Sequence, residues 1–341
     1  MDDSELGFDT INLGHGSGGM MTRELLDKLI FKTFSNPFIN QKHDGAIVNF
    51  NNKIAISTDS FVVSPIFFKG GNIGELAVNG TVNDVAMCGA VPKYLSLAFI
   101  VEEGLKIEEL RAIIHSIKTA ADESGVLIIT GDTKVVERGK GDKIFINTTG
   151  FGEVHSKANI SANRIKSGDK IIVNGFIAQH GMSIMSEREG FVFESSIVSD
   201  TTNVNYLVKD LLDAFGDKIH FFRDPTRGGV ASVLSEIATD TAKGITIFEN
   251  QIPLEKQVAA ACEILGLDPL YVANEGVFIT IVDPEIADAV VTMMRKDDKG
   301  LNSVCIGEVT KEYPGKVIMH SSVGGKRIVS ALIGEQLPRI C

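Results

Sequence analysis

Apolar residues recur at helical spacing in several stretches of the chain. Residues 22–34, 73–88 and 107–124 each place apolar or small side chains three and four positions apart. This spacing gives a helix one face that can be buried. The pattern therefore predicts three helices in the first half, and Gly89 stands where a C-terminal cap is expected after the second.

Runs rich in β-branched and aromatic residues separate these helices and predict strands. In the first half they lie at 45–50, 53–63, 94–101, 126–129 and 144–154. The second half contains predicted strands at 170–174, 276–282, 303–309 and 316–319, and predicted helices near 178–187, 203–215, 228–239, 255–265 and 284–295. The alternation indicates an α/β (α+β) protein with mixed β-sheets and flanking helices.

The chain of 341 residues is too long for one ordinary core, so two domains are expected. The polar, turn-rich segment 155–169 is the best candidate for a linker. We therefore predict an N-terminal domain at 1–155, a C-terminal domain at 156–330 and a tail at 331–341 without periodicity. Ten extended residues span roughly 33 Å, so the tail can reach a site in its own chain or in a neighbour.

Charge and composition exclude two classes of partner. The chain has 33 basic and 44 acidic residues and a net charge of −11, which argues against nucleic acid. No apolar run reaches the roughly 18–20 residues that a membrane helix needs, so no membrane partner is expected. The acidic start of the chain lacks the features of a signal peptide, which predicts a cytoplasmic protein.

The sequence contains four cysteines and no C-x-x-C motif. Cys88, Cys262 and Cys305 stand among apolar or small residues and are predicted to be inert core thiols. Cys341 is the last residue, where a thiol is expected to be mobile and exposed. It is either a carrier of a small group or an incidental surface cysteine. Prenylation is excluded because that signal needs three residues after the cysteine.

A glycine-rich loop at 14–19 contains the pattern G-x-G-x-x-G. A dinucleotide fold would also need a buried strand before this loop and an acidic residue about 20 positions after it, and both are missing. No P-loop motif is present. The loop is therefore either a segment whose N–H groups wrap phosphates, with Gly16, Gly18 and Gly19, or a plain flexible turn.

Five aspartates stand beside small or hydroxylated residues where strands end or helices begin: Asp44, Asp59, Asp84, Asp132 and Asp224. One such residue is ordinarily a helix cap or a turn former. Asp224, followed by Pro225, is predicted to be an N-cap with proline in the first turn.

Asp84 differs because it lies inside an apolar helical stretch, where an unpaired carboxylate would be costly. Several carboxylates that converge in space would suit Mg²⁺ together with nucleotide phosphates. Lys134 and Arg227 would then neutralise phosphate oxygens. Glu275, beside a glycine at the start of a strand, is either part of a turn or a positioned base.

Together these strings resemble the ATP-binding superfamily of aminoimidazole-ribonucleotide synthetase, selenophosphate synthetase and thiamine-monophosphate kinase, and within it the hydrogenase-maturation carbamoyl dehydratases. The resemblance covers essentially the whole chain. It rests on LGHGSGG (13–19), TDSFVV (58–63), GTVNDVA (80–86), GDTKVV (131–136), DPTRGG (224–229), NEG (274–276) and PRIC (338–341). The terminal string is specific to the dehydratases. Gly45 departs from the alanine that the family would have after Asp44.

The resemblance implies an aminoimidazole-ribonucleotide-synthetase-like fold and a reaction on the tail. A partner carbamoyltransferase would load a carbamoyl group onto the Cys341 sulfur, and ATP would phosphorylate the carboxamide oxygen. A base would remove the nitrogen protons and phosphate would leave. The resulting thiocyanate would pass its cyano group to iron on a scaffold complex, for a nickel–iron hydrogenase.

The resemblance also implies roles for individual residues and a homodimer formed by the first domains. Metal ligands for Mg²⁺ would be Asp44, Asp59, Asp84 and Asp224. ATP would contact Gly16, Gly18, Gly19, Asp59, Asp84, Asp132, Thr133 and Asn274. Lys134 would contact phosphates, Glu275 would be the base with His15 as the alternative, and Cys341 would carry the substrate.

Two other functions are alternatives to this reaction. A small-molecule kinase or ligase of the same superfamily would turn over ATP only with an added substrate and would be indifferent to Cys341. A non-enzymatic carrier would use its thiol without binding ATP.

Overall fold

Two β-sheets organise the chain, one from residues 54–154 and one from residues 170–329. The structure is a computed structural model that describes residues 7–17, 20–41, 46–189, 197–332 and 340. The strands are β1 (Ile54–Phe61), β2 (Phe67–Phe68), β3 (Gly71–Asn72), β4 (Ala90–Glu102), β5 (Leu127–Val136), β6 (Ile144–Val154), β7 (Lys170–Val173), β8 (Ile219–Arg223), β9 (Gly244–Phe248), β10 (Ile279–Val282), β11 (Val304–Thr310), β12 (Val317–His320) and β13 (Lys326–Val329).

Helices flank both sheets. They are α1 (Met20–Leu25), which continues as a π-helical segment (Leu26–Phe31), α2 (Ile73–Met87), α3 (Ile107–Ser124), α4 (Gln179–Glu189), α5 (Asn205–Phe215), α6 (Gly229–Thr241), α7 (Lys256–Leu265) and α8 (Ala287–Met294). No helix of the described part of the chain is long and apolar enough to cross a membrane.

The first sheet has the strand order β1-β6-β4-β5, and only β4 and β5 run parallel in it. Helix α2 packs on one face and is buried on almost every side. It starts at Asn72, whose side chain accepts a hydrogen bond from the Gly74 N–H over 2.8 Å. Gly80 lets it approach the sheet closely, because a Cβ there would lie 2.9 Å from the Phe61 ring.

The opposite face of this sheet is open. Ile56, Phe151, Tyr94 and Leu127 are neighbours in register across β1, β6, β4 and β5. Two of them are large exposed side chains, since Ile56 is 55% and Leu127 is 41% exposed. A continuous apolar row thus crosses a sheet face that the described residues cover only in part.

The second sheet has the order β13-β12-β9-β11-β7-β10-β8 and is covered on both faces. Strand β7 shows this directly, because Ile171 and Val173 belong to one hydrophobic cluster and Ile172 to another. Buried runs of this kind, rather than strict alternation, are typical of strands that are covered on both faces.

The periodicity located most of these elements. The helix predicted at 107–124 is α3 to the residue, and 144–154 is β6. The strand predicted at 45–50 is wrong, because residues 46–50 form no strand. Strands β8, β9 and β13 were not predicted; each is four or five residues long, too short to show a period.

Candidate functional site

Acidic side chains from both halves of the chain converge where α2 faces the second sheet. Glu275 experiences the charges of four aspartates, and the five residues form what we call the carboxylate cluster: Asp59, Asp84, Asp200, Asp224 and Glu275. Two of them come from the first half of the chain: Asp59 lies on β1, and Asp84 lies in the last turn of α2. The cluster therefore exists only when the two halves are packed together.

The carboxyl groups of Asp84 and Asp224 lie within hydrogen-bonding reach of each other. The Ser57 hydroxyl donates a further hydrogen bond of 2.6 Å to Asp84 Oδ2. Burial, followed by the charge of Asp84, raises the pKa of Asp224 to about 7. Burial also raises the pKa of Asp84.

Asp224 is not the helix cap that the sequence predicts, and this prediction is wrong. Helix α6 begins at Gly229, and its N-cap is Gly228 with a φ of +76°. Four residues thus separate Asp224 from the helix start, because Pro225 continues the loop that follows β8. Its side chain is consequently available to the cluster.

Glu275 lies in a turn that buried hydrogen bonds hold in place. The backbone N–H groups of Glu275 and Gly276 donate to Asp200 Oδ2 over 3.0 and 2.9 Å. The buried amide of Asn274 accepts from Ala178 N–H over 2.7 Å and donates to the Pro225 carbonyl over 2.8 Å. Asn274 is thus engaged inside the protein, where it orients the turn.

Glu275 is only 4% exposed, and its carboxyl faces α2, since Oε2 would lie 3.7 Å from a Cβ at Gly80. Its Oε1 has no hydrogen-bond partner among the described residues, and neither has Asp200 Oδ1. Burial, and then the surrounding aspartates, raise the pKa of Glu275 well above its usual range. A carboxylate with such a pKa is a stronger base than an ordinary glutamate.

The pair Asp84–Asp224 fits a divalent cation bound with a nucleotide. Within the described residues no three histidine, cysteine or acidic side chains are arranged to chelate an ion by themselves. Mg²⁺ does not need such a cage, because it is usually held by one or two carboxylates plus phosphates and water. A cation bound between the two carboxylates would relieve the repulsion that, after burial, raises the pKa of Asp224.

A second group of predicted residues lies on β5. The Lys134 ammonium and the Thr133 N–H both donate to Asp132 Oδ1, each over 2.8 Å. These residues and Gly16 line a cavity of about 230 Å³ under α1. Gly16 is required there, since a Cβ would lie 2.7 Å from the Val135 nitrogen.

The structure does not bring Lys134 to the carboxylate cluster within one chain. Asp59 on β1 and Gly131 on β5 lie in the same row across the sheet. Strands β6 and β4 lie between them, so the two residues are three strand spacings apart. Three strand spacings amount to roughly 14 Å. Lys134 is also the register neighbour of the exposed Ile100 on the open face, whereas Asp59 shares the face of Ser57, which contacts α2.

His15 is buried beneath Phe8, with the ring centres 4.1 Å apart. Its Nδ1 accepts a hydrogen bond from the Asn12 N–H over 3.0 Å, and burial lowers the pKa of His15.

The other predicted residues Asp44, Gly18, Gly19 and Cys341 lie outside the described residues. Ile340 is described: it is 3% exposed, and its carbonyl accepts a 2.8 Å hydrogen bond from His180 Nε2.

Sequence reasoning missed His180 and Asp200, and it misjudged Cys88. The signal for Asp200 was a polar run at 199–203 whose residues are all buried or half-buried. Cys88 is exposed and lines a cleft with Asp84 and Asp224, so its prediction as a core thiol is wrong. Cys262 is buried, as predicted, and Cys305 is half-buried.

The raised pKa of Asp224 predicts a pH-dependent stability in the absence of a cation. The native protein keeps a proton that the unfolded chain releases near pH 4, so its stability falls as pH rises from about 4 to about 7. Asp224→Asn should reduce this slope by at most about 1.4 kcal/mol per pH unit, the contribution of one proton. Urea unfolding with a chelator at pH 5 to 8 measures it.

The matched control is Asp210→Asn, an exposed position on α5. It should leave the slope as in the wild type. An Asp224→Asn variant with the wild-type slope would contradict the assignment of the proton to this pair.

Both halves of the chain match models of one known protein family. Residues 42–154 match "AIR synthase related protein, N-terminal domain" and residues 166–320 match the corresponding C-terminal domain. The chain is 47% identical to carbamoyl dehydratase HypE of Bradyrhizobium diazoefficiens over 97% of this chain and 96% of that protein. It is similar to a crystal structure of the hydrogenase maturation protein HypE in complex with ATP, with a TM-score of 0.93 and 44% identity over 96% and 99% of the two chains. A HypE–HypF complex matches with a TM-score of 0.80 and 43% identity over 90% and 99%.

Proposed function

This chain belongs to the AIR synthase related family and, within it, to the carbamoyl dehydratases HypE, and from that premise we propose that it uses ATP to dehydrate a thiocarboxamide on its own Cys341 to a thiocyanate. The observation that carries this proposal is the buried position of Ile340. The next residue is bonded to it, with its Cα about 3.8 Å away. The described end of the tail is therefore docked in the protein, and the proposed reaction takes place on the residue that follows it.

The chemistry divides one difficult elimination into two easier steps. The carboxamide oxygen attacks the γ-phosphorus of ATP, the bond to the β-phosphate oxygen breaks, and ADP leaves. The base removes both nitrogen protons as the C–O bond breaks, so that phosphate departs and a carbon–nitrogen triple bond remains on sulfur. Phosphorylation is needed because an amide oxygen is a poor leaving group, which is the logic of activation by group transfer.

Glu275 is the base in this proposal. Its carboxyl is buried, its pKa is raised, and its Oε1 has no partner among the described residues. His15 is the weaker alternative, because it is enclosed under Phe8 on the β5 side of the molecule. Asp59, Asp84 and Asp224 would hold Mg²⁺, which when bound offsets phosphoryl charge. Asp44, outside the described residues, stays with them as a prediction from the resemblance.

The residues Asp132, Thr133 and Lys134 on β5, here called the β5 group, are proposed to bind the phosphates. Lys134 supplies a cation, and the cavity that it lines together with Gly16 and Thr133 accommodates part of the nucleotide. ATP is a cytoplasmic substrate, so we propose that the protein works in the cytoplasm. A carbamoyltransferase, for which the HypE–HypF complex is a precedent, would load Cys341, and an iron-scaffold complex would accept the cyano group.

A homodimer is proposed on the open face of the first sheet. An exposed apolar row across four strands is what a second copy would cover. The roughly 14 Å between the carboxylate cluster and the β5 group within one chain further favours a site to which both chains contribute.

We expect Ile56→Asp to give a monomer with strongly reduced ATP turnover, because it places a charge in the apolar row. Ile264→Asp on α7, where the side chain is 65% exposed, is the matched control and should remain dimeric. Sedimentation velocity distinguishes the two. A dimeric Ile56→Asp variant would place the interface elsewhere.

The function is tested by mass spectrometry of the C-terminal peptide after incubation with a carbamoyl donor system. The expected result is a carbamoyl adduct that loses one water only when Mg-ATP is present. Loss of water without ATP would refute the dehydratase. ATP turnover that requires an added small molecule and leaves the peptide unchanged would identify the kinase or ligase instead. Calorimetry that detects no binding of Mg-ATP would identify the carrier.

A further inference from the structure

Among the described residues, only His180 forms a hydrogen bond with Ile340 at the end of the tail. It lies in the first turn of α4 and is completely buried. Its Nε2 is 2.8 Å from the Ile340 carbonyl oxygen, which is 160 residues away in sequence. A carbonyl oxygen only accepts hydrogen bonds, so Nε2 carries the proton.

The other ring nitrogen of His180 fixes this arrangement. Nδ1 lies 2.8 Å from the Ser199 hydroxyl, which also accepts a hydrogen bond of 3.1 Å from the Thr201 N–H. Burial lowers the pKa of His180, so the imidazole is neutral with its proton on Nε2, and Nδ1 accepts a hydrogen bond from the Ser199 hydroxyl. The Phe68 ring packs edge-on against the imidazole, with the ring centres 5.5 Å apart.

The segment that orients His180 also orients Glu275. Ser199 is followed by Asp200, whose carboxylate accepts the N–H groups of Glu275 and Gly276. The Lys69 carbonyl anchors this segment and α4 together, because it accepts from Ser199 N–H over 2.9 Å and from the Ser183 hydroxyl over 3.0 Å. The tail and the base are thus positioned by the same short stretch of chain.

The Ile340 side chain completes the docking. It is 3% exposed and belongs to a hydrophobic cluster that also includes Ile184 of α4 and Ala273, which lies two residues before Glu275. Around this point three buried polar atoms have no partner among the described residues: Asp200 Oδ1, Thr201 Oγ1 and Glu275 Oε1. Unpaired buried groups of this kind are rare unless a ligand uses them.

We propose that His180 is a latch for the tail: its Nε2–H holds the carbonyl of Ile340 and so presents the group on Cys341 to Glu275. His180 is a positioning residue, since it acts through the tail and touches no reacting atom. This role rests on the proposed function for its purpose, but docking of the tail can be measured independently. We expect that loading of Cys341 by a partner requires this hydrogen bond to break.

The test compares His180→Phe with His180→Gln. Phenylalanine fills the space without a donor, whereas glutamine keeps an N–H that can reach the Ile340 carbonyl. The first readout is the rate at which N-ethylmaleimide labels Cys341, resolved from Cys88 and Cys305 by peptide mass spectrometry. Losing a buried hydrogen bond and leaving its acceptor unpaired should raise this rate about tenfold or more in His180→Phe. His180→Gln should label nearly as slowly as the wild type.

The second readout separates docking from loading. In His180→Phe, single-turnover dehydration of a preloaded protein should fall at least about tenfold, while carbamoyl loading stays equal or becomes faster. Binding of Mg-ATP, measured by calorimetry, should be unchanged. A general structural defect would lower all of these together, so their opposite responses identify the latch. If His180→Phe does not fold, Ser199→Ala should shift labelling in the same direction by freeing Nδ1.

The outcomes distinguish this inference from the proposed function. Equal labelling rates in wild type and His180→Phe would overturn the latch, whatever the chemistry. Faster labelling with unchanged dehydration would overturn its positioning role. Faster labelling in a protein whose wild type never dehydrates its adduct would refute the proposed function and leave the docking role of His180 intact.

Discussion

We expect Cys341→Ser to lose thiocyanate formation completely. The serine hydroxyl is a far weaker nucleophile than a thiolate and would not accept the carbamoyl group at a useful rate. The residue lies outside the described part of the chain, but its neighbour Ile340 is docked against His180. The replacement changes one atom, so docking of the tail should persist. The measurement is the mass of the C-terminal peptide after incubation with carbamoyl donor and Mg-ATP.

Cys305→Ser is the matched control, since Cys305 is a half-buried thiol in the second sheet. It should form thiocyanate at the wild-type rate. A carbamoyl adduct that appears on Cys88 in the Cys341→Ser variant, followed by its dehydration, would show that the carrier thiol is in the cleft and not on the tail.

The second large effect is expected for Glu275→Gln. This change keeps the size of the side chain and removes the base, so dehydration should fall about 10²–10⁴-fold. Calorimetry should still detect Mg-ATP binding, because the pair Asp84–Asp224 is untouched. The carbamoyl adduct should accumulate, which a rapid-quench experiment followed by peptide mass analysis would detect.

Glu75→Gln is the matched control for this experiment. Glu75 is also a partly buried glutamate, and burial raises its pKa to about 7. It lies in the first turn of α2, five residues before the glycine that faces Glu275. Dehydration at the wild-type rate is expected for this variant. A slow Glu75→Gln and a fast Glu275→Gln would exchange the two assignments.

The structure explains why the sequence located elements more readily than contacts. Helix α3 has one apolar face, so its sequence period reveals it, and Gly125, with a φ of +73°, ends it. Asp84 was conspicuous because an acidic residue interrupts an apolar helix. Both features are local in sequence. Short strands such as β8, at Ile219–Arg223, form because neighbouring strands pair with them, which no local pattern reveals.

Contacts between distant segments account for the remaining differences. Asp200 and His180 matter through hydrogen bonds to residues 75 and 160 positions away. Asp224 carries the sequence signature of a cap, yet its loop continues for several residues and places the side chain opposite Asp84. The separation of Lys134 from the cluster follows from strand order, which sequence motifs do not encode.

The assembly of the carboxylate cluster from two halves has a consequence for how the molecule comes apart. Like charges face each other across the boundary between the sheets, opposed by contacts such as the Asn83 amide, which donates to the Thr202 carbonyl over 2.9 Å and accepts from Val204 N–H over 2.8 Å. Repulsion between these acidic side chains therefore destabilises the contact between the two halves at neutral pH. A bound nucleotide with its cation would stabilise this contact. Without the nucleotide, we expect the two halves to separate there first, which would expose the linker at 155–169 to proteolysis.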